Sequence, residues 1–258
     1  MSRISDVFKK GKVFIPFITG GDPDMETTFQ LVKAMAENGA DIIEIGIPFS
    51  DPIAEGPVIQ EADLRALSSG TTTDALFDLV VRLRKEIDIP LIFMTYANPI
   101  YVYGKEQFMK RCAEVGIDGV IVPDIPFEEK AELSSVCREN GIDLISMIAP
   151  TSKMRIETIA REAEGFIYCV SSLGVTGVRS EINTDIGTMV AHVKSVTDTP
   201  VAVGFGISTP EQAKKMAGLS DGAIVGSAIV KIVAQYGKDA VSHVAQYVRD
   251  MKAGVMEG

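Results

Sequence analysis

A short β-branched run followed by a stretch of helical spacing recurs eight times along this 258-residue chain. The runs are VFIPFIT (13–19), IIEIGI (42–47), LIFMTY (91–96), GVIV (119–122), DLISMI (143–148), FIYCV (166–170), VAVGF (201–205) and GAIVG (222–226). Strands that alternate with helices imply a parallel sheet with right-handed crossovers, because each helix carries the chain back to start the next strand in the same direction. Eight such units predict closure into a (β/α)8 TIM barrel, an α/β fold that leaves no open sheet edge. An open doubly wound sheet would carry G-x-G-x-x-G after its first strand, and none stands there. No linker or composition break interrupts the series, so residues 1–258 read as one barrel domain. A leader carrying Ile4, Val7 and Phe8 predicts an extra N-terminal helix over the barrel floor. In 186–196, Ile186, Met189, Val190 and Val193 share one helical face. Asn38-Gly39, Val115-Gly116 and Asn140-Gly141 read as helix stops ahead of strands.

With 46% apolar and 23% charged residues, the chain can fill a large core and keep a polar surface. Its 35 acidic against 25 basic residues give a formal charge of −10, which argues against nucleic-acid binding by phosphate neutralisation. One small phosphorylated substrate is compatible with that charge, because backbone amides can hold a phosphate without a lysine or arginine. Cys112, Cys137 and Cys169 are an odd number without metal-ligand spacing and read as buried, reduced thiols. The N-terminus lacks the apolar core of a signal peptide, and no run approaches the roughly 18 apolar residues a membrane helix needs. The expectation is a cytoplasmic protein that binds neither membrane nor nucleic acid.

Barrel enzymes place their chemistry at the C-terminal ends of the strands. In the second run, alternation sets Ile43, Ile45 and Ile47 on one face and Ile42, Glu44 and Gly46 on the other. Three isoleucines suit the helix-facing side, so Glu44 should point into the barrel. Desolvation there would raise its pKa toward the range useful for proton transfer. The alternative is a glutamate satisfied near the mouth by amides or water. The following loop, FSDPIAEGPVIQEA (49–62), carries Asp51, Glu55 and Glu61, and a carboxylate on it could accept from a substrate N–H or simply be solvated. Asp124, after the fourth run, reads as a helix cap.

Three glycine-bearing stretches converge near the C-terminus. Gly177 lies in SSLGVTGVRS (171–180), Gly206 in GFGIS (204–208), and Gly226-Ser227 in GAIVGSAIV (222–230). Gly206 and Gly226 follow the seventh and eighth runs, where barrels often hold a phosphate, and Ser227-Ala228-Ile229 can begin a short helix whose free N–H groups face an anion. None of the eight runs contains a lysine for a Schiff base. The only histidines, His192 and His243, sit on the polar sides of predicted helices and read as solvated. Carboxylates and tyrosines are what remain for the chemistry.

The sequence resembles the tryptophan synthase α-chain family. The stretch IEIGIPFSDPIAEGPVIQ (43–60) carries the resemblance, with IPFITGGDP (15–23), MTYANPI (94–100), VPDIP (122–126), SSLGVTG (171–177), VGFGIS (203–208) and VGSAIVK (225–231) following in family order. The resemblance implies cleavage of indole-3-glycerol phosphate to indole and glyceraldehyde 3-phosphate. Glu44 matches the family's general acid/base. Glu55 stands where the family usually has an aspartate that accepts the indole N–H, a departure of one methylene. Phe17, Tyr96 and Tyr168 match positions lining the indole pocket, although Tyr168 also reads as a core aromatic. Gly177, Gly206, Gly226 and Ser227 match the phosphate site, and Thr176 matches the threonine of the loop that closes over substrate. Ser172 stands where the family commonly has an arginine.

A pyridoxal-phosphate β subunit is the implied partner, in an α2β2 assembly that passes indole between active sites. This chain itself is expected to carry no cofactor and no metal. The loop 51–60, with Asp51, and Asn98-Pro99-Ile100 match the family's contact regions. A regulatory subunit with weak chemistry of its own is the alternative that Glu55 keeps open.

Overall fold

The computed structural model describes residues 2–170, 186–204 and 206–258. The predicted runs form parallel strands: β1 Val13–Thr19, β2 Ile43–Gly46, β3 Leu91–Met94, β4 Gly119–Ile121, β5 Asp143–Leu144, β6 Ser146–Ile148, β7 Ile167–Val170, β8 Val201–Gly204 and β9 Gly222–Val225. The fifth run departs from expectation, because it is split at Ile145 into β5 and β6. The sheet order is β5-β4-β3-β2-β1-β9-β8-β7-β6. The first half of the split run pairs with β4 through Gly119↔Asp143 and Val120↔Leu144. Its second half pairs with β7 through Ser146↔Ile167, Met147↔Tyr168 and Ile148↔Cys169. The Ile145 N–H still donates to the Val120 carbonyl at 3.0 Å, so the break costs that amide nothing. One run thereby serves both neighbours and closes the barrel.

The helices are α1 Arg3–Phe8, α2 Met25–Glu37, α3 Pro57–Ser68, α4 Thr73–Leu83, α5 Ala97–Tyr103, α6 Lys105–Val115, α7 Ala131–Glu139, α8 Lys153–Arg161, α9 Ile186–Lys194, α10 Pro210–Leu219, α11 Ser227–Tyr236 and α12 Ala240–Met256. Their ends follow local chemistry. Asp24 accepts from the Thr27 N–H at 2.7 Å and starts α2, and Thr209 with Gln212 forms a capping box on α10. After α6, Gly116 adopts φ +88°, a left-handed stop that a Cβ would resist.

Alternation along the strands separates two cores. Phe14, Ile18, Ile43, Ile45, Phe93 and Val203 face outward against the helices, whereas Val13, Ile15, Phe17, Ile92, Ile121 and Ile224 fill the barrel. The leader forms α1 and closes the floor as expected. Ile4 is fully buried, and a Cβ on Gly119 would come within 2.8 Å of its Cδ1, so that glycine makes the space for it. Phe8 packs its ring 5.7 Å from that of Phe166. Asp118 ties the floor together by accepting from Arg3 at 3.1 Å, from Arg84 at 2.7 Å and from the Leu91 N–H at 2.9 Å. With the floor plugged, the open end of the barrel is the C-terminal one.

Because the plug is apolar packing rather than a surface contact, Ile4→Ala is expected to lower stability by about 2–5 kcal/mol in urea denaturation. Val102→Ala, at a side chain that is 81% exposed, serves as the control and should stay within about 0.5 kcal/mol of the natural chain.

Candidate active site

At the C-terminal mouth a pocket opens, lined on one side by Phe17, Glu44, Glu55 and Tyr168 and on the other by Gly206, Gly226 and Ser227. Glu44 points inward from β2, as the two-residue period predicts, in register with Phe17 on β1 and Ile92 on β3. It is only 1% exposed, and its Oε1 meets no hydrogen-bond partner among the described residues. Burial, and then the charge of Glu55, push its carboxyl up to about 8. At neutral pH Glu44 is therefore a protonated acid with an unsatisfied oxygen facing the pocket.

Glycines on neighbouring strands make room for the two aromatic walls. A Cβ on Gly46 would lie 2.7 Å from the Phe17 ring, and one on Gly204 would lie 2.5 Å from the Tyr168 hydroxyl. Burial first, then Glu44 and Glu55, hold the Tyr168 phenol well above its ordinary value. Tyr168 therefore does both things its sequence allowed: it is a strand core residue and a pocket wall.

Glu55 is buried on the loop ahead of α3. Its Oε1 accepts from the Tyr96 hydroxyl at 3.2 Å, and that hydroxyl accepts from the Ala54 N–H at 2.9 Å. The Tyr96 hydroxyl thus supports the loop, and its ring packs tilted beside Phe49 with centroids 5.5 Å apart. Sequence reasoning placed Tyr96 on the indole wall; the structure places its hydroxyl behind Glu55. Two further buried acids adjoin this cluster. Asp22 receives both Nε and Nη2 of Arg65 at 2.8 Å. Asp63, on α3, is pushed up to about 8 by burial and then by Glu55, with the Phe49 backbone and the Thr19 hydroxyl opposing the rise.

The far end of the pocket is built from backbone. Gly206, just after β8, has φ +84°. Gly226 is the N-cap of α11, and the first turn from Ser227 carries no acidic residue. The Ile229 and Val230 amides close on the Gly226 carbonyl at 2.8 and 3.1 Å, which leaves the N–H groups of the turn before them for an anion. A Cβ on Gly226 would stand 3.3 Å from the Phe17 ring, so the start of α11 and the aromatic wall meet there.

Thr176 and Gly177 lie outside the described residues, as does Phe205. Asp124 does cap a helix, but the one before it: its carboxylate accepts from the Ala97 N–H at 2.9 Å, at the start of α5. Asp51 is exposed. His243 is exposed and stacks on Tyr236, while His192 is half-buried with Nε2 3.3 Å from Glu157, a correction to its reading as solvated. Among the described residues no group of acids, cysteines and histidines could hold a metal, and no helix is long and apolar enough to cross a membrane. Sequence reasoning missed Ile59, Met94, Ile207 and Ile224 as pocket lining, and it missed Asp63 altogether.

Comparison with known proteins agrees with this geometry. The family model described as "Tryptophan synthase alpha chain" matches residues 5–256. A tryptophan synthase alpha chain of Lacticaseibacillus casei is 49% identical over 255 residues, covering 99% of this chain and 96% of its own. The crystal structure of tryptophan synthase subunit alpha from Legionella pneumophila superposes with a TM-score of 0.89 at 34% identity, covering 99% and 98% of the two chains. A chain of Mycobacterium tuberculosis tryptophan synthase gives 0.91 at 32% identity, covering 100% and 99%. Matched by that family model over nearly its whole length and 49% identical to one of its members, the chain belongs to the tryptophan synthase alpha chain family.

Proposed function

We infer that this chain is a lyase that cleaves indole-3-glycerol phosphate to indole and glyceraldehyde 3-phosphate, with Glu44 as the acid and base. The observation that carries this reading is the setting of Glu44: buried in the pocket wall, with Oε1 unpartnered among the described residues and with burial and Glu55 favouring its protonated form. The phosphate would sit on the amides of Gly206, Gly226 and Ser227, and the indole between Phe17 and Tyr168. Glu44 gives its proton to the ring carbon that bears the glycerol side chain. The resulting Glu44 carboxylate then takes the proton of the adjacent glycerol hydroxyl. The carbon–carbon bond breaks as that hydroxyl carbon becomes an aldehyde, and its electron pair returns to the ring. Glu55 accepts the indole N–H and stabilises the positive charge that develops on the ring nitrogen, which is where preorganised charge lowers a barrier most. Tyr96 holds Glu55 in place. Thr176 and Gly177 are assigned to the closing loop and the phosphate contact on the strength of the sequence match.

The partner in this reading is a pyridoxal-phosphate β subunit in an α2β2 assembly, which receives the indole. Exposed apolar side chains at the barrel mouth, Ile53 and Val102, support a protein partner on that face. Ordering of loops by the partner would make cleavage slow in the free chain and faster in the complex.

Indole release from indole-3-glycerol phosphate, measured with and without a β subunit, tests the reaction. Glu44→Gln is expected to lower it about 100-fold or more, the scale of general acid–base catalysis. In the natural chain the acid form of Glu44 is the active one, so activity is present below about pH 8 and falls as pH rises through that value. Release of no indole even with β, alongside raised β activity, would make the chain a regulatory subunit. For the phosphate end, Ser227→Asp should raise KM about tenfold through like-charge repulsion, yet stabilise the fold by about 0.3–1 kcal/mol because an acid suits a helix N-terminus. A parallel loss of affinity and stability would count against the amide-held phosphate.

A further inference from the structure

Asp63 is a buried carboxyl that the reaction above does not use. The inward face of α3 carries Ile59, Ala62, Asp63 and Ala66, a helical stripe in which the other three members are apolar. Three connecting segments surround the carboxyl. The single loop between β2 and α3 brings both Glu55 and the Phe49 backbone, the loop after β1 brings Asp22, and the end of β3 brings Tyr96. The Thr19 hydroxyl, at the end of β1, lies beside it, buried and without an aligned hydrogen bond. Arg65 is the nearby cation, and both its Nε and Nη2 are taken by Asp22 at 2.8 Å. A charged Asp63 would therefore face Glu55 and Asp22 with no counter-ion directed at it among the described residues, an arrangement that buried carboxylates avoid by keeping a proton.

We propose that Asp63 is a positioning residue for Glu55: seated in the apolar stripe of α3 between Glu55 and the Arg65-paired Asp22, it adds no second unpaired charge to the wall that Glu55 presents to the pocket. The proposal rests on the reading of Glu55 as the acceptor of the indole N–H. Glu55 lines the pocket, and it opposes the ionisation of Glu44, Asp63, Tyr96 and Tyr168 alike, so the groups around it are favoured in their neutral forms. If Asp63 loses its proton, two like charges share one wall, and Glu55 is turned from the pocket or neutralised in turn.

Asp63→Asn keeps the shape and fixes the neutral state. Above about pH 8, indole release by the natural chain should fall by more than tenfold per pH unit, because Glu44 and Asp63 both lose protons there. The variant should fall by about tenfold per unit, with Glu44 titrating alone. Equal steepness and midpoint in the two chains, or a uniform loss at every pH, overturns the role. A second arm does not depend on activity. Folded Asp63 holds a proton that the unfolded chain releases near the ordinary value of 3.8, so the natural fold loses stability as pH rises from about 4 to about 8. The denaturation midpoint of Asp63→Asn should therefore gain on that of the natural chain across this window and run parallel above it. A gap that is constant with pH shows Asp63 ionised in the folded state and sinks the proposal. Should the natural chain release no indole, the reading of Glu55 fails and the positioning role with it, while the denaturation arm still decides where the proton resides.

Discussion

A parallel strand packed on both faces has no water to satisfy its backbone, so every N–H and C=O of the sheet must find another strand. That requirement governs the barrel here. The run 143–148 cannot keep one straight ladder on both sides, and it resolves the conflict by breaking at Ile145 while that residue's amide still reaches Val120. Closure then sets the register Phe17↔Glu44↔Ile92, which places the glutamate inside a ring of apolar side chains. The chemistry at the mouth is thus a by-product of where the ladder forces a carboxyl to stand.

Inside that ring the dominant energy is the cost of charge. Among the described residues Asp22, Glu44, Glu55 and Asp63 are all buried close to one rim, and Arg65 is committed to Asp22. The low local dielectric makes simultaneous ionisation of the other three unfavourable, and burial with Glu55 nearby raises both Glu44 and Asp63 to about 8. Such an arrangement stores an acid ready for transfer at the expense of folding stability, the usual balance at a working site. The supporting hydrogen bonds, from Tyr96 to Glu55 and from the Ala54 amide to Tyr96, give the loop after β2 a fixed geometry that its length alone would not supply.

Much of this was legible from residue order. The two-residue period in 42–47 oriented Glu44, and Gly226-Ser227 after the last run marked the helix start that ends the pocket. The break at Ile145 was not legible, because a period describes which face a side chain takes and not which neighbour its backbone bonds. Tyr96 was placed on the right strand end, yet whether its ring or its hydroxyl serves the pocket depends on Phe49 and Ala54, which come from another loop. Asp63 drew no reading from the sequence, where it stands between Glu61 and Arg65. The signal that could have found it was its membership of the stripe with Ile59, Ala62 and Ala66, where a carboxyl does not belong without a reason.

The end of the pocket proposed to hold phosphate is made of peptide groups, and this changes what mutation can do to it. Side chains along the first turn of α11 can vary without removing a single donor, since every residue but proline supplies the same N–H. Gly226 is the exception. Any side chain there presses on Phe17, whose strand partner is Glu44, so one substitution would disturb the anion end, the aromatic wall and the proton donor together. Tolerance over the helix start and intolerance at one glycine is an uneven mutational landscape, and it concentrates the inherited risk of this site in a residue that has no side chain.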